Sequence, residues 1–295
     1  MAETIVSPEE ILKSVKRVPA LSPGASRLLD VLGTGCYEVA DIVQVIETDS
    51  GLTANVLKVV NSAAMGLRRD ITTVHQAVAF LGDTKIIGIA LTNSGGEIFN
   101  QALAGYAGDR GDLGRHCLWV AIAARELARH TGGRVDKGVA FTAGLLHDIG
   151  KVVISDFMVE VMPRIVAGAS DETFGDHLEA ERQVMGTDHC EVGRELGRHW
   201  RMPESLVAGI QHHHRPALAP EDFRPMAYVI HLADTLAMMQ GIGTGVDDMQ
   251  YELAPDYADH VQIEASGLEG LTLDTQIDFK ATAEALFGED QEKEE

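Results

Sequence analysis

The run Leu145-Leu146-His147-Asp148-Ile149-Gly150-Lys151 constrains the fold more than any other stretch, because an imidazole, a carboxylate and an ammonium close an apolar segment. An uncompensated carboxylate in an apolar layer costs several kcal/mol or is neutralised by a pKa shift, so Asp148 requires a partner. A metal ion would be one; a helix end at which His147 and Asp148 merely cap backbone groups would be another. Only further ligands elsewhere in the chain separate these two readings.

Such residues occur in a definite order. His116 lies upstream on one expected helix, His189 downstream on another, His212 and His213 end a third, and Asp234 interrupts the apolar face of a fourth. The order of one His, then His-Asp, then a distant Asp resembles the HD superfamily of metal-dependent phosphohydrolases, and within it the HDOD family of bacterial signalling proteins, over about residues 15 to 240. A second stretch, Asn61 to Leu67 followed by Ile71 to Gly82, is similar to the HDOD signature, with Ala64 and Met65 where the family often carries an aromatic. The turn Arg68-Arg69-Asp70 between these segments reads as a solvated polar loop.

The donor chemistry narrows the cofactor. Imidazole nitrogens with carboxylate oxygens suit Mn, Fe, Co, Ni or Zn better than Ca or Mg. Gathered together, His116, His147, Asp148 and Asp234 would give one ion four protein donors and leave room for a further ligand. His189, His212 and His213 exceed what a one-ion site uses and resemble the dinuclear branch that includes HD-GYP proteins. There Asp148 would bridge two ions roughly 3.5–4 Å apart, and the three later histidines would hold the second. Successive residues of a regular helix diverge by about 100°, so His212 and His213 can face one ion only where the helix ends, as Pro216 permits. His214 stands where HD-GYP proteins usually carry Glu, and the Gly-Tyr-Pro element is absent.

If the chain hydrolyses a phosphoester, Asp148 and Lys151 are the expected catalytic residues, with Lys151 neutralising a substrate phosphate oxygen. Arg115 and Arg215 are the other candidates for a phosphate clamp, and Asp112 reads as a helix N-cap before a site residue. Cys117 and Cys190 follow candidate ligands but point away from them on a regular helix, which makes them small core fillers. His75, His130, His177, His199, His231 and His260 read as surface or capping residues.

Helical periodicity dominates the rest. Ser7-Pro8-Glu9-Glu10, Ser22-Pro23 and Thr73-Val74-His75-Gln76 are helix starts, and Val39, Ile42, Val43 and Ile46 recur at helical spacing. Helices are expected from Leu113, from Asp136 to the His147-Asp148 pair, from Lys151 to Met162 before Pro163, and over 188–200, 203–213 and 224–240. The expected class is all-α: a helical N-terminal half (1–108), an HD-like metal-binding helical domain (109–245) and a C-terminal extension (246–295) ending in an acidic disordered tail. The glycine-rich stretch 102–114 marks the first boundary. Val261, Ile263, Leu271 and Leu273 could form a small β-hairpin around Gly267 to Gly270 ahead of a last helix.

Composition bounds the partners. A net charge of −21 argues against nucleic acid, three scattered cysteines suit a reducing compartment, and no apolar run reaches bilayer length, so a cytoplasmic, non-membrane protein is expected. The resemblance implies a signal-transduction output or scaffold protein whose partner is a signalling protein or a small phosphorylated ligand. An active nucleotide or cyclic-dinucleotide phosphohydrolase is the alternative, and a metal-free degenerate fold the third; whether the chain is an enzyme stays open at this level.

Overall fold

The computed structural model describes residues 7–94, 98–170, 174–246 and 251–287. Its first half contains α1 (Pro8–Val15), α2 (Pro23–Gly33), α3 (Val39–Glu47), α4 (Ser50–Val60), α5 (Val74–Leu81) and α6 (Asp83–Ser94). Next come α7 (Asp112–Ala128), α8 (Lys137–Leu146), α9 (Ile149–Ser170), α10 (His177–Met185), α11 (His189–His199), α12 (Glu204–His212), α13 (Arg224–Met239) and α14 (Ala265–Phe287). The class is all-α, and no strand occurs among the described residues; an isolated bridge joins Leu103 to Gly108.

Several starts follow their local chemistry. Ser22 Oγ accepts from the Ala25 N–H, Thr73 Oγ1 from the Gln76 N–H and Asp136 Oδ1 from the N–H groups of Gly138 and Val139, which satisfies donors a helix leaves open. Ser7 precedes α1 as expected, but its side chain makes no capping bond, and Pro8 at the first position carries the start.

One continuous apolar core runs from Ile11 in α1 to Ala283 in α14, so both halves bury their faces against each other. The glycine-rich 102–114 stretch lies within this packing. Tyr106 is fully buried there, and a Cβ on Gly105 would collide with the Ser155 carbonyl, so only glycine lets this turn lie against α9. The single helical segment long and apolar enough to span a bilayer among the described residues is Lys137–Ile165, and 94% of its apolar window is buried inside the protein.

Three expectations are corrected. No hairpin forms in the described part of the C-terminal extension: Leu271, Thr275, Phe279, Thr282 and Ala283 recur at helical spacing on the buried face of α14, whereas Leu273 points to solvent. Pro163 does not end α9, because Met158, Val161 and Ile165 continue one buried face through it and hold the helix despite the missing N–H. A helix not foreseen, α10, precedes α11. The expected disordered tail from Gly288 onward lies outside the described residues.

The last helix clamps the two halves together. Asp278 on α14 accepts from Lys85 of α6 and from Arg125 Nη2 of α7 at 2.9 Å, while Trp119 Nε1 donates to Gln276 at 3.0 Å. Burial alone would raise the Asp278 carboxyl, but the Lys85 bond and the two cations outweigh it and leave the pKa lowered. A carboxylate with a depressed folded pKa stabilises above its ordinary value of about 3.9 and loses that contribution as pH falls through the folded value. Asp278→Asn should therefore lower stability by about 1–2 kcal/mol at neutral pH. The gap from wild type in urea midpoint should narrow below about pH 4; a pH-independent gap would assign the loss to packing.

Candidate metal centre

The polar cluster is assembled where α7, α8, α9, α11, α12 and α13 meet. Helix α8 ends at Leu146 and α9 begins at Ile149, so His147 and Asp148 sit at the break and both turn inward. Gly150 makes the next step possible: a Cβ there would collide with the His189 carbonyl, so only glycine lets α9 approach the start of α11 closely enough to carry His189 to Asp148. His116 comes from the second turn of α7, and Asp234 from the buried face of α13.

Asp148 is the centre of the arrangement. Its Oδ2 lies 3.5 Å from both His116 Nε2 and His147 Nε2, and its Oδ1 lies 3.7 Å from His189 Nε2 and 3.6 Å from His213 Nε2. Each oxygen thus faces its own pair of imidazoles. Asp234 repeats the pattern: Oδ1 is 3.2 Å from His116 Nε2 and 3.7 Å from His147 Nε2, while Oδ2 is 3.6 Å from His214 Nδ1.

Ring orientation is fixed from behind. Nδ1 of His116 donates to the Ile242 carbonyl, that of His147 to Gly144, and that of His213 to Ile210, each at 2.7 Å. Nδ1 of His189 meets Glu181 Oε2 at 2.9 Å. Since a carbonyl can only accept, Nδ1 of His116, His147 and His213 carries a proton, and the Nε2 atoms of all four rings are left facing Asp148. The Nε2 atoms of His116 and His147 are only 3.2 Å apart. Neither oxygen of Asp148 accepts a well-directed hydrogen bond, although Lys151 Nζ lies 2.7 Å from Oδ2. Convergent ring nitrogens, carboxylate oxygens without hydrogen-bond partners and rings anchored from behind are what a metal ion's ligands need, so the residues present fit a divalent cation. His231 is the contrast: it is buried, donates from Nδ1 to the His213 carbonyl and accepts the Ala254 N–H at Nε2, which completes both nitrogens without any ion.

Charge follows the same geometry. Burial would raise the carboxyls of Asp148 and Asp234, but Lys151 and the surrounding imidazoles hold the first far below the usual range and hydrogen bonds with His116 and His147 hold the second there. For His189, burial lowers the pKa, and the adjacent Glu181 carboxylate together with Cys190 more than reverses it. His213 and His214 are pushed well down, first by burial and then by neighbouring imidazoles.

Of the expected ligands, His116, His147, Asp148, His189, His213 and Asp234 are brought together. His212 is the correction: it remains on the last turn of α12, partly exposed, with its pKa lowered by burial and by Arg194. The helix ends one residue later than a His212–His213 pair requires, and it is His213 and His214, with ring centroids 4.1 Å apart, that turn inward. His214 Nε2 is 3.1 Å from His189 Nε2, and its ring stacks on Tyr251. Lys151 is buried between Asp148 and Thr244, whose Oγ1 accepts from Nζ at 2.7 Å. Asp112 takes no part in the cluster; its Oδ2 accepts the Asp109 N–H at the start of α7. Arg215 pairs with Asp176.

Sequence reasoning missed Glu181 and His214. Glu181 carried a legible signal, because it falls on the apolar Leu178, Val184 and Met185 face of α10, where an unpaired charge would be costly. His177 and His231, expected at the surface or as caps, are both buried.

An all-α fold with a buried His/Asp cluster at a helix break is the architecture of an HD-type domain. The model of the HDOD domain matches residues 18–216, and the chain belongs to the HDOD family. An uncharacterised protein of Treponema pallidum is 24% identical over 205 residues, 69% of this chain; the match spans 39% of that protein's length. Among solved structures, a Shewanella amazonensis protein provisionally described as a phosphohydrolase is 26% identical with a TM-score of 0.64, covering 94% of this chain and 97% of that one. A Marinobacter aquaeolei protein provisionally described as a signal transduction protein shares the fold with a TM-score of 0.73 at 20% identity, covering 97% of this chain and 61% of that one.

Proposed function

We propose that this chain is a regulatory output protein of the HDOD family whose buried cluster holds two divalent transition-metal ions that brace the helices carrying the ligands. The observation behind this reading is enclosure: His116, His147, Asp148, Lys151, His189, His213, His214 and Asp234 are each at most 4% exposed. A cation so enclosed acts on the fold, by tying six helices to one point, more readily than on a large phosphorylated substrate. His116, His147, Asp148 and Asp234 would hold one ion, and His189, His213 and His214, with Asp148 between, the second. When bound, the ions supply positive charge to two buried carboxylates. The output surface in this reading is the cleft between the halves, about 770 Å³, where Gly33 of α2 faces Arg134, Lys137, Phe223 and Met226. Its partner is a signalling protein or a small phosphorylated ligand.

Elemental analysis of protein purified without chelator tests this. About two moles of Fe, Mn, Co, Ni or Zn per chain are expected, and chelation should lower Tm by several degrees, since a ligand at 100 times its Kd adds about 2.7 kcal/mol. Absence of metal with an unchanged Tm on metal addition would overturn the reading.

One observation favours hydrolysis instead. Asp148 presents each oxygen to a different imidazole pair beside the Lys151 ammonium, an arrangement suited to phosphoryl chemistry, and the Shewanella neighbour carries a phosphohydrolase description. Turnover of an aryl phosphodiester that Lys151→Ala abolishes at unchanged metal content would establish this reading; no turnover by the metal-loaded protein would reject it.

A further inference from the structure

The second metal position has a donor that neither the family order nor helix periodicity points to. Cys190 is the second residue of α11 and is 2% exposed. Its Sγ lies 3.8 Å from both ring nitrogens of His213, and one ligand atom from each of His189, Cys190, His213 and His214 lies within 4.8 Å of the others. His214 Nδ1 is itself buried and makes no hydrogen bond, so the group contains a buried polar atom without a hydrogen-bond partner. Bond lengths of about 2.0–2.1 Å to nitrogen and 2.3 Å to sulfur give tetrahedral ligand-to-ligand edges of about 3.3–3.6 Å. The observed 3.1 Å between His189 and His214 Nε2 and 3.8 Å between Cys190 Sγ and His213 Nε2 bracket that edge.

We propose that Cys190 is a thiolate ligand of the second ion, which adds one sulfur to the imidazole nitrogens of His189, His213 and His214 and the shared Asp148 oxygen. The proposal rests on the metal-binding reading above and adds to it that the two positions differ in softness. His116, His147, Asp148 and Asp234 form a nitrogen-oxygen position, while the Cys190 position favours zinc or cobalt. On binding, the Cys190 thiol releases one proton to solvent as its sulfur bonds the cation; no electron is transferred. Cys117 provides an internal control, since it is equally buried and follows His116 in the same way, yet falls in none of the three ligand groups found among the described residues.

The experiment is cobalt(II) loading of the full chain, read by metal content and by the near-ultraviolet thiolate-to-cobalt charge-transfer absorption. Wild type and Cys117→Ser should both show the band. Cys190→Ser should lose it while keeping a wild-type circular dichroism spectrum, and should bind cobalt at least 10-fold more weakly at one position. Cobalt bound by wild type without the band, or a band that survives in Cys190→Ser, would overturn the proposal and leave the metal centre standing. Failure of wild type to bind cobalt, zinc or manganese at all would overturn both. If Cys190→Ser does not fold, alkylation of wild type serves: cobalt should protect Cys190 and leave Cys36 reactive, and equal labelling of Cys190 with and without metal would reject the ligand role.

Discussion

Asp148→Ala should empty the metal centre and lower thermal stability in the same protein, and the two losses have separable causes. Without metal, the substitution removes the carboxylate 2.7 Å from the buried Lys151 ammonium and the group on which four imidazoles converge. Breaking a buried ion pair by deleting one partner costs about 3–5 kcal/mol, because the other charge is left in a low-dielectric interior. For a chain of this size that is on the order of 10 °C in Tm. With metal, the mutant also forfeits the linkage contribution, since both oxygens of Asp148 are lost to the ions at once. Chelator should therefore shift the wild-type Tm and leave the mutant's unchanged. A mutant that retains two ions per chain would show that Asp148 is a counter-charge for Lys151 and not a ligand.

Glu181→Gln is expected to be the next largest change, although Glu181 touches no candidate ion. One oxygen of its carboxylate accepts from both the backbone N–H and Nδ1 of His189, at 2.8 and 2.9 Å, and the other accepts from the Tyr106 hydroxyl at 2.6 Å. The His189 bonds fix the ring so that Nε2 faces Asp148. A glutamine has a single acceptor oxygen and must turn an NH2 toward at least one of these donors. Partners behind a metal-bound histidine typically control 10–100-fold in affinity, so the second ion should weaken by that factor while the His116–His147 position is unaffected. Titration with zinc, followed by calorimetry, separates the two positions. Equal weakening of both would point to a general loosening of the helices instead of a loss of His189 orientation.

Much of this architecture was legible in residue order. The all-α class followed from helical periodicity, and the inward-facing His116, His147, Asp148 and Asp234 followed from their order along the chain, because side chains that serve one point must recur on buried helix faces. Local signals also gave the break at His147-Asp148, where two polar side chains end an apolar run. What failed were judgements that depend on where a helix stops. The His212-His213 reading was off by one residue because adjacent helical side chains diverge by about 100°, and nothing local says which of three consecutive histidines leaves the helix first. The proposed hairpin failed for a related reason: Leu271 and Leu273 alternate over two residues, but burial on α7 selects the longer period on which Leu271, Thr275 and Phe279 lie.

The sequence by itself determined which elements form and which polar residues must be buried and compensated, since both follow from local spacing and from the cost of desolvating charge. Only the tertiary structure decided which of those residues meet. The approach of α9 to α11 at Gly150, the carboxylate of Glu181 behind His189, and the turn that admits His214 and Cys190 while leaving His212 outside are contacts between segments distant in the chain. Their geometry is set by how helices pack, to fractions of an ångström, and no periodicity within one helix encodes it.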